Sequence, residues 1–177
     1  MFRRVFLALL LAFSLPAGAV TDQEVALKRV LFIGNSYLYY NDSLHNHVER
    51  MAIERHKGSL TSSFEFRSAT IGNASLSHHN IDWLLTPGQI GVEDPFQAVV
   101  MQGASFEALT PETRQMFLDT AVRYANKVRQ IGATPMLYMT HAYVPPHRLA
   151  DKNMINLVSE TYIEAGLAAK AKVIPVG

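Results

Sequence analysis

Residues 30 to 33, Val-Leu-Phe-Ile, form an unbroken apolar run that Gly34-Asn35-Ser36 ends abruptly with turn formers. The run predicts a buried strand. From Ser43 to about His56, Leu44, Val48, Met51 and Ala52 recur at the spacing of one helix face. A buried strand passing into a helix through so short a turn sets Ser36 at the strand's carboxyl end. Gly, Asn and Ser are ordinary turn residues, so the tripeptide has a bland meaning as punctuation. Its chemical meaning is a hydroxyl beside free backbone N–H groups, where a nucleophile could work.

The rest of the chain alternates the two patterns. Residues 62 to 70 read as a second, less buried strand, 76 to 85 as a short helix closed by Thr86-Pro87-Gly88, and 96 to 101 as a third strand. Thr110 and Pro111 mark the start of a long helix that stops near Ile131, before Gly132. Residues 135 to 140 read as a fourth strand, 150 to 169 as a helix, and 172 to 176 as a fifth strand. Strands separated by helices require a parallel sheet covered on both faces, with right-handed crossovers. The expected architecture is one α/β domain of three layers, α/β/α, with about five strands.

The first 19 residues do not belong to that domain. Arg3 and Arg4, an apolar stretch from Val5 to Leu15 broken only by Ser14, and Ala17-Gly18-Ala19 have the form of a signal peptide with a small-residue cleavage site. The stretch is short for a bilayer span, so the mature domain, residues 20 to 177, is expected to be secreted or periplasmic without stable membrane insertion; an uncleaved anchor is the alternative. Without Arg3 and Arg4, 16 basic residues become 14 against 15 acidic ones, and the formal charge moves from +1 to −1. No basic run remains to attract nucleic acid. The chain has no cysteine, which removes disulfides, thiolate metal sites and a Cys nucleophile. Hydrophobic residues at 49% are enough for a core to hold an exported domain without disulfides.

In a parallel sheet every strand's carboxyl end lies along one edge, so the loops there can be compared. They carry Gly34-Asn35-Ser36, then Gly72-Asn73, then Gln102-Gly103, then His141. A serine, a glycine N–H and a side-chain amide on one edge are the parts of an acyl-transfer site. Tyr37, beside the serine, could touch a ligand, whereas Tyr39, Tyr40 and Trp83 read as packing residues.

These residues resemble the SGNH (GDSL-like) hydrolases, serine esterases and lipases with a flavodoxin-like sheet. Gly34-Asn35-Ser36 is similar to the family's Gly-Asp-Ser, Gly72 to the glycine after its second strand, and Gln102-Gly103 to the Gln-Gly-Glu-Ser form of carbohydrate acetylesterases. The resemblance implies Ser36 as nucleophile and Gly72 N–H and the Gln102 amide as oxyanion donors; Asn35, Tyr37, Asn73 and His141, in the loops of the same edge, are the expected substrate contacts. It implies a small-molecule or carbohydrate ester as substrate, O-acetyl groups among them, and no cofactor.

The family's Asp-x-x-His, which supplies the base, has no match after Gly132. Three readings follow: a longer hydrolase of which this sequence is a part, a periplasmic ligand-binding relative without turnover, or His141 as substitute base. A flavin or phosphate site at the same edge is a fourth reading, opposed by the lack of a Gly-rich phosphate fingerprint. His45 and His47, two apart on a helix, cannot chelate one ion together, and no cluster has zinc spacing, so no metal site is expected. The adjacent His78 and His79 read as exposed polar residues.

Overall fold

The computed structural model describes residues 27–57 and 64–176; the expected leader lies outside the described residues. Five strands form one parallel sheet: β1 Arg29–Gly34, β2 Glu65–Thr70, β3 Ala98–Met101, β4 Thr134–Tyr138 and β5 Lys172–Ile174. Their order is β2-β1-β3-β4-β5, and every neighbouring pair is parallel. Such a sheet reverses its winding between β1 and β3, and ligands in doubly wound folds bind at the carboxyl edge of that switch point.

Alternation within the strands divides two cores. Leu31, Ile33, Val99, Met101 and Leu137 face one side and pack with residues of α3 (Ile81–Leu85), α4 (Pro111–Gln130) and α5 (Met154–Ala169). Phe117, Tyr124 and Tyr162 are the bulkiest fully enclosed side chains there. At about 1.5–3 kcal/mol for each large buried apolar side chain, this face holds most of the hydrophobic stabilisation. On the other face, Val30, Phe32, Phe66, Ala98 and Val100 meet Leu38 and the half-buried Leu44, Val48 and Ala52 of α2 (Leu44–Arg55). No residue of α2 is fully buried. Both faces of the sheet are thus covered as expected, the second more thinly, by Leu38 and α2. An apolar groove of about 670 Å³ runs over Val100, Met136, Tyr138 and Ile174 beside α2.

Local signals set most boundaries. Thr110 caps α4 by accepting the Thr113 N–H, Pro111 opens the helix, and the chain leaves it through Gly132 at φ +78°. The helix expected over 76–85 is two pieces. A 3-10 turn at Leu76–His78 ends at the extended His79, and Asn80 caps α3 by accepting the Trp83 N–H. The break is fixed from outside, because the Tyr124 hydroxyl of α4 donates a short hydrogen bond to the His79 carbonyl. The helix expected from Ala150 starts later, at Met154. Two short elements were not anticipated: the four-residue α1, Ser36–Tyr39, and a 3-10 turn at Ser105–Ala108.

Candidate active site

The turn after β1 is bolted to two other loops, those after β2 and β3. Asn35, 2% exposed, caps α1: its Oδ1 accepts the Tyr37 N–H, while its Nδ2 donates to the carbonyls of Ala74 at 3.1 Å and Gly103 at 3.4 Å. Its own N–H donates to Gln102 Oε1 at 3.3 Å. The loop after β2 is joined to β1 again by the Ile71 N–H, which donates to the Gly34 carbonyl. Gly34 is required by contact: a Cβ there would lie 2.6 Å from Gln102 Oε1 and 2.7 Å from Leu38 Cδ1.

A second line of polar groups crosses the buried edge. Gln102 Nε2 donates to Thr140 Oγ1 at 3.3 Å, Thr140 pairs with Ser105 Oγ at 3.1 Å, and Ser105 donates to the His141 carbonyl at 2.6 Å. Gln102, Thr140 and Ser105 are all buried. The loops after β1, β3 and β4 are thus fixed relative to one another by groups that solvent does not reach, where an unmade bond would cost most.

This framework presents Ser36, Tyr37, Gly72, Asn73 and His141 at the surface and keeps Asn35 and Gln102 beneath it. Ser36 is the first residue of α1 and half-buried; among the described residues its hydroxyl has no hydrogen-bond partner. The Tyr37 ring meets the His141 ring edge-on with centroids 5.5 Å apart. Gly72 and Asn73 lie exposed in the loop after β2, where no described residue accepts the Gly72 N–H. Tyr39 joins the two sides. One helical turn beyond Ser36, it holds its hydroxyl 3.3 Å from where a Gly72 Cβ would stand.

Two expected site residues are thereby corrected. Gln102 is 0% exposed, its Oε1 accepting the Asn35 N–H and its Nε2 donating to Thr140, so the amide lies beneath the rim rather than on it. Asn35 is likewise closed off by its loop carbonyls and is not a substrate contact. The aromatic residues depart from expectation in the opposite sense: Tyr39, Tyr40 and Trp83 are 38%, 64% and 46% exposed rather than packed. His78 is exposed and accepts the Ser75 N–H, but His79 is buried with its Nε2 unpartnered. Burial lowers the His79 pKa, and the nearby Gly34 carbonyl opposes that shift.

Glu107 has only a local signal in the sequence, as the acid at the N3 position of a turn, the place an acid takes in a capping box. Buried in the 3-10 turn, it accepts N–H groups from Ala104 and Leu76, and burial raises its pKa while those donors counter the rise. Tyr39 had a signal that was misread, since a residue three beyond the serine shares its face if the turn continues as a helix. Among the described residues no cluster of His, Asp or Glu could hold a metal ion, and no helix is long and apolar enough to cross a membrane. The large apolar groove lies on the sheet face, away from this edge, and shares no residue with it.

No family model and no curated protein matches the sequence. Solved structures do match in shape. A candidate SGNH hydrolase from Slackia heliotrinireducens superposes with a TM-score of 0.62 at 22% identity, covering 83% of this chain and 78% of its own. The esterase EstA from Pseudoalteromonas gives 0.59 at 11% identity, over 83% and 76%. The SGNH-hydrolase family esterase AlinE4 gives 0.59 at 17% identity, over 84% and 76%. The order of the five parallel strands and these superpositions together show that the chain has the SGNH-hydrolase fold.

Proposed function

We propose that this chain is an exported serine esterase of SGNH type, acting on small acyl esters, with O-acetyl groups on carbohydrate as the substrate class. The observation that carries the reading is the interlocking of the loops, which puts on one rim a serine hydroxyl and a glycine N–H that have no partner among the described residues. Ser36 Oγ would attack the acyl carbon, and the carbonyl oxygen would gain charge as its double bond opens. The N–H groups of Ser36 and Gly72 are the donors offered to that oxygen. Collapse expels the alcohol and leaves an acyl-serine, which water hydrolyses to release the acid. The exposed Tyr37, Asn73 and His141 stand on the same rim as contacts for the alcohol part.

The hydroxyl proton needs an acceptor. The His141 ring is engaged with Tyr37 and makes no hydrogen bond to Ser36, so the proposal assigns the base to an Asp-x-x-His in polypeptide beyond residue 177. The lack of a base beside Ser36 among the described residues also favours a second reading, a ligand-binding relative that holds acyl groups without turnover. The acetylated arm of the proposal is drawn from the Gln102-Gly103 resemblance, and export from the N-terminal pattern.

The test is hydrolysis of p-nitrophenyl acetate and of acetylated xylan by the 177-residue chain, by the product of the full reading frame, and by Ser36→Ala in each. Rapid turnover by the extended form that Ser36→Ala abolishes, with the fold intact by circular dichroism, supports the esterase. The 177-residue chain should retain only a residual rate, since losing a triad member typically costs several orders of magnitude. Acetyl-sugar binding without turnover in any form would establish the second reading. Full activity in Ser36→Ala would remove Ser36 from the mechanism.

A further inference from the structure

Glu107 is 5% exposed, and no Lys or Arg among the described residues pairs with it. A carboxylate in such a place is costly unless its oxygens are well bonded. Here one oxygen, Oε2, takes two backbone donors from different loops: the Ala104 N–H at 2.6 Å and the Leu76 N–H at 3.3 Å. Leu76 closes the loop that contains Gly72, and Ala104 follows Gln102-Gly103. The Ser75 hydroxyl also reaches the carboxylate. Above it the backbone of Gly103 lies so close that a Cβ there would stand 2.7 Å from Oε2. Gly103 is held from the far side by its N–H, which donates to the buried Tyr162 hydroxyl of α5.

From this geometry we infer that Glu107 is a positioning residue, a single acceptor oxygen that clasps the Gly72 loop to the Gln102-Gly103 loop and so fixes the rim opposite Ser36. The importance of that rim for catalysis rests on the esterase reading; the clasp itself does not. Asn35 joins the same two loops through their carbonyls, Ala74 and Gly103, while Glu107 joins them through their N–H groups. Together they secure both polarities of the backbone, and neither alone satisfies the junction. What the role requires is an oxygen at the position of Oε2, not a charge.

Two substitutions separate position from charge. Glu107→Gln keeps an oxygen at full reach without the charge, its amide N–H facing Ser75; Glu107→Asp keeps the charge but withdraws it by one methylene. Amide hydrogen exchange on the folded chain is the first readout. In Glu107→Asp, exchange should rise roughly tenfold at Leu76 and Ala104 and spread to residues 71–75 and 102–105, with β1 and β3 unchanged. In Glu107→Gln those amides should stay within about threefold of wild type. The second readout is acetate-ester hydrolysis by the full reading frame: Glu107→Asp should lower kcat at least tenfold with KM nearly unchanged, and Glu107→Gln should restore it. The inference is overturned if Asp protects these loops and Gln does not, or if increased exchange stays confined to Leu76 and Ala104. Should the wild-type protein hydrolyse no ester, the esterase reading fails while exchange still decides the clasp.

Discussion

Replacing Asn35 with Asp exchanges one nitrogen for one oxygen and changes the volume hardly at all, which makes it a clean probe of the loop junction. Nδ2 now donates to two carbonyls in a place that is 2% exposed; an oxygen there would face Ala74 O at 3.1 Å and Gly103 O at 3.4 Å. Two hydrogen bonds at about 1 kcal/mol each are lost, and an ionised carboxylate would stand unpaired against two acceptors. Breaking a buried charged arrangement in this way costs about 3–5 kcal/mol. The side chain escapes part of that by keeping a proton, which restores one donor, so its folded pKa must rise above the unfolded value near 3.9. The sign follows from proton counting. Between those two pKa values the folded state binds more protons than the unfolded state, and stability falls as pH rises, by up to about 1.4 kcal/mol per unit. Urea unfolding of both proteins at pH 4 and pH 8 should show a deficit near 1–2 kcal/mol at the lower pH, growing to about 3–5 at the higher. A deficit that is absent or independent of pH would refute the assigned role of Nδ2.

Gly34→Ala would place a methyl 2.6 Å from Gln102 Oε1 and 2.7 Å from Leu38 Cδ1, so thermal denaturation should show a loss of about 1–3 kcal/mol with the sheet retained; an unchanged midpoint would mean that the amide is not packed against β1. His79 has its folded pKa lowered by burial, so the unfolded chain takes up its proton first and the stability attached to this group is lost as pH falls below about 6.5. His79→Phe should flatten the stability profile between pH 5 and 7, and a profile as steep as wild type would place the sensitivity elsewhere. Tyr39→Phe removes only the hydroxyl beside Gly72 and should leave the melting temperature within a degree or two while weakening ester turnover severalfold; unaltered kinetics would take Tyr39 out of the site.

What the sequence disclosed follows from how local the causes are. The run from Val30 to Ile33 becomes the interior strand β1 because four apolar residues can be buried on both faces of a parallel sheet, and Thr110-Pro111 opens α4 because cap and first-turn chemistry act within four residues. The edge that gathers Ser36, Gly72 and His141 was legible once the strands were known to be parallel. The direction of Gln102 was not. Its amide is turned inward by Asn35 and Thr140, partners 67 and 38 residues away, and nothing in the local pattern reports them. The break at His79 has the same origin, since Tyr124 on α4 takes its carbonyl out of any helix. Glu107 reads as a local turn acid until the Leu76 N–H, 31 residues away, is seen to share its Oε2 with the nearby Ala104 N–H.

The central claim is that Ser36 stands as a nucleophile opposite backbone donors on a rim fixed from beneath. A fluorophosphonate carries fluoride as its leaving group and a phosphoryl oxygen for those donors, and it reacts with a base-activated serine, so the product of the full reading frame is the protein to label. Peptide mass spectrometry after incubation should find one phosphonyl group, on Ser36, and none in Ser36→Ala. Labelling of Ser75 or Ser105 instead, or no covalent adduct at any serine, would contradict the account.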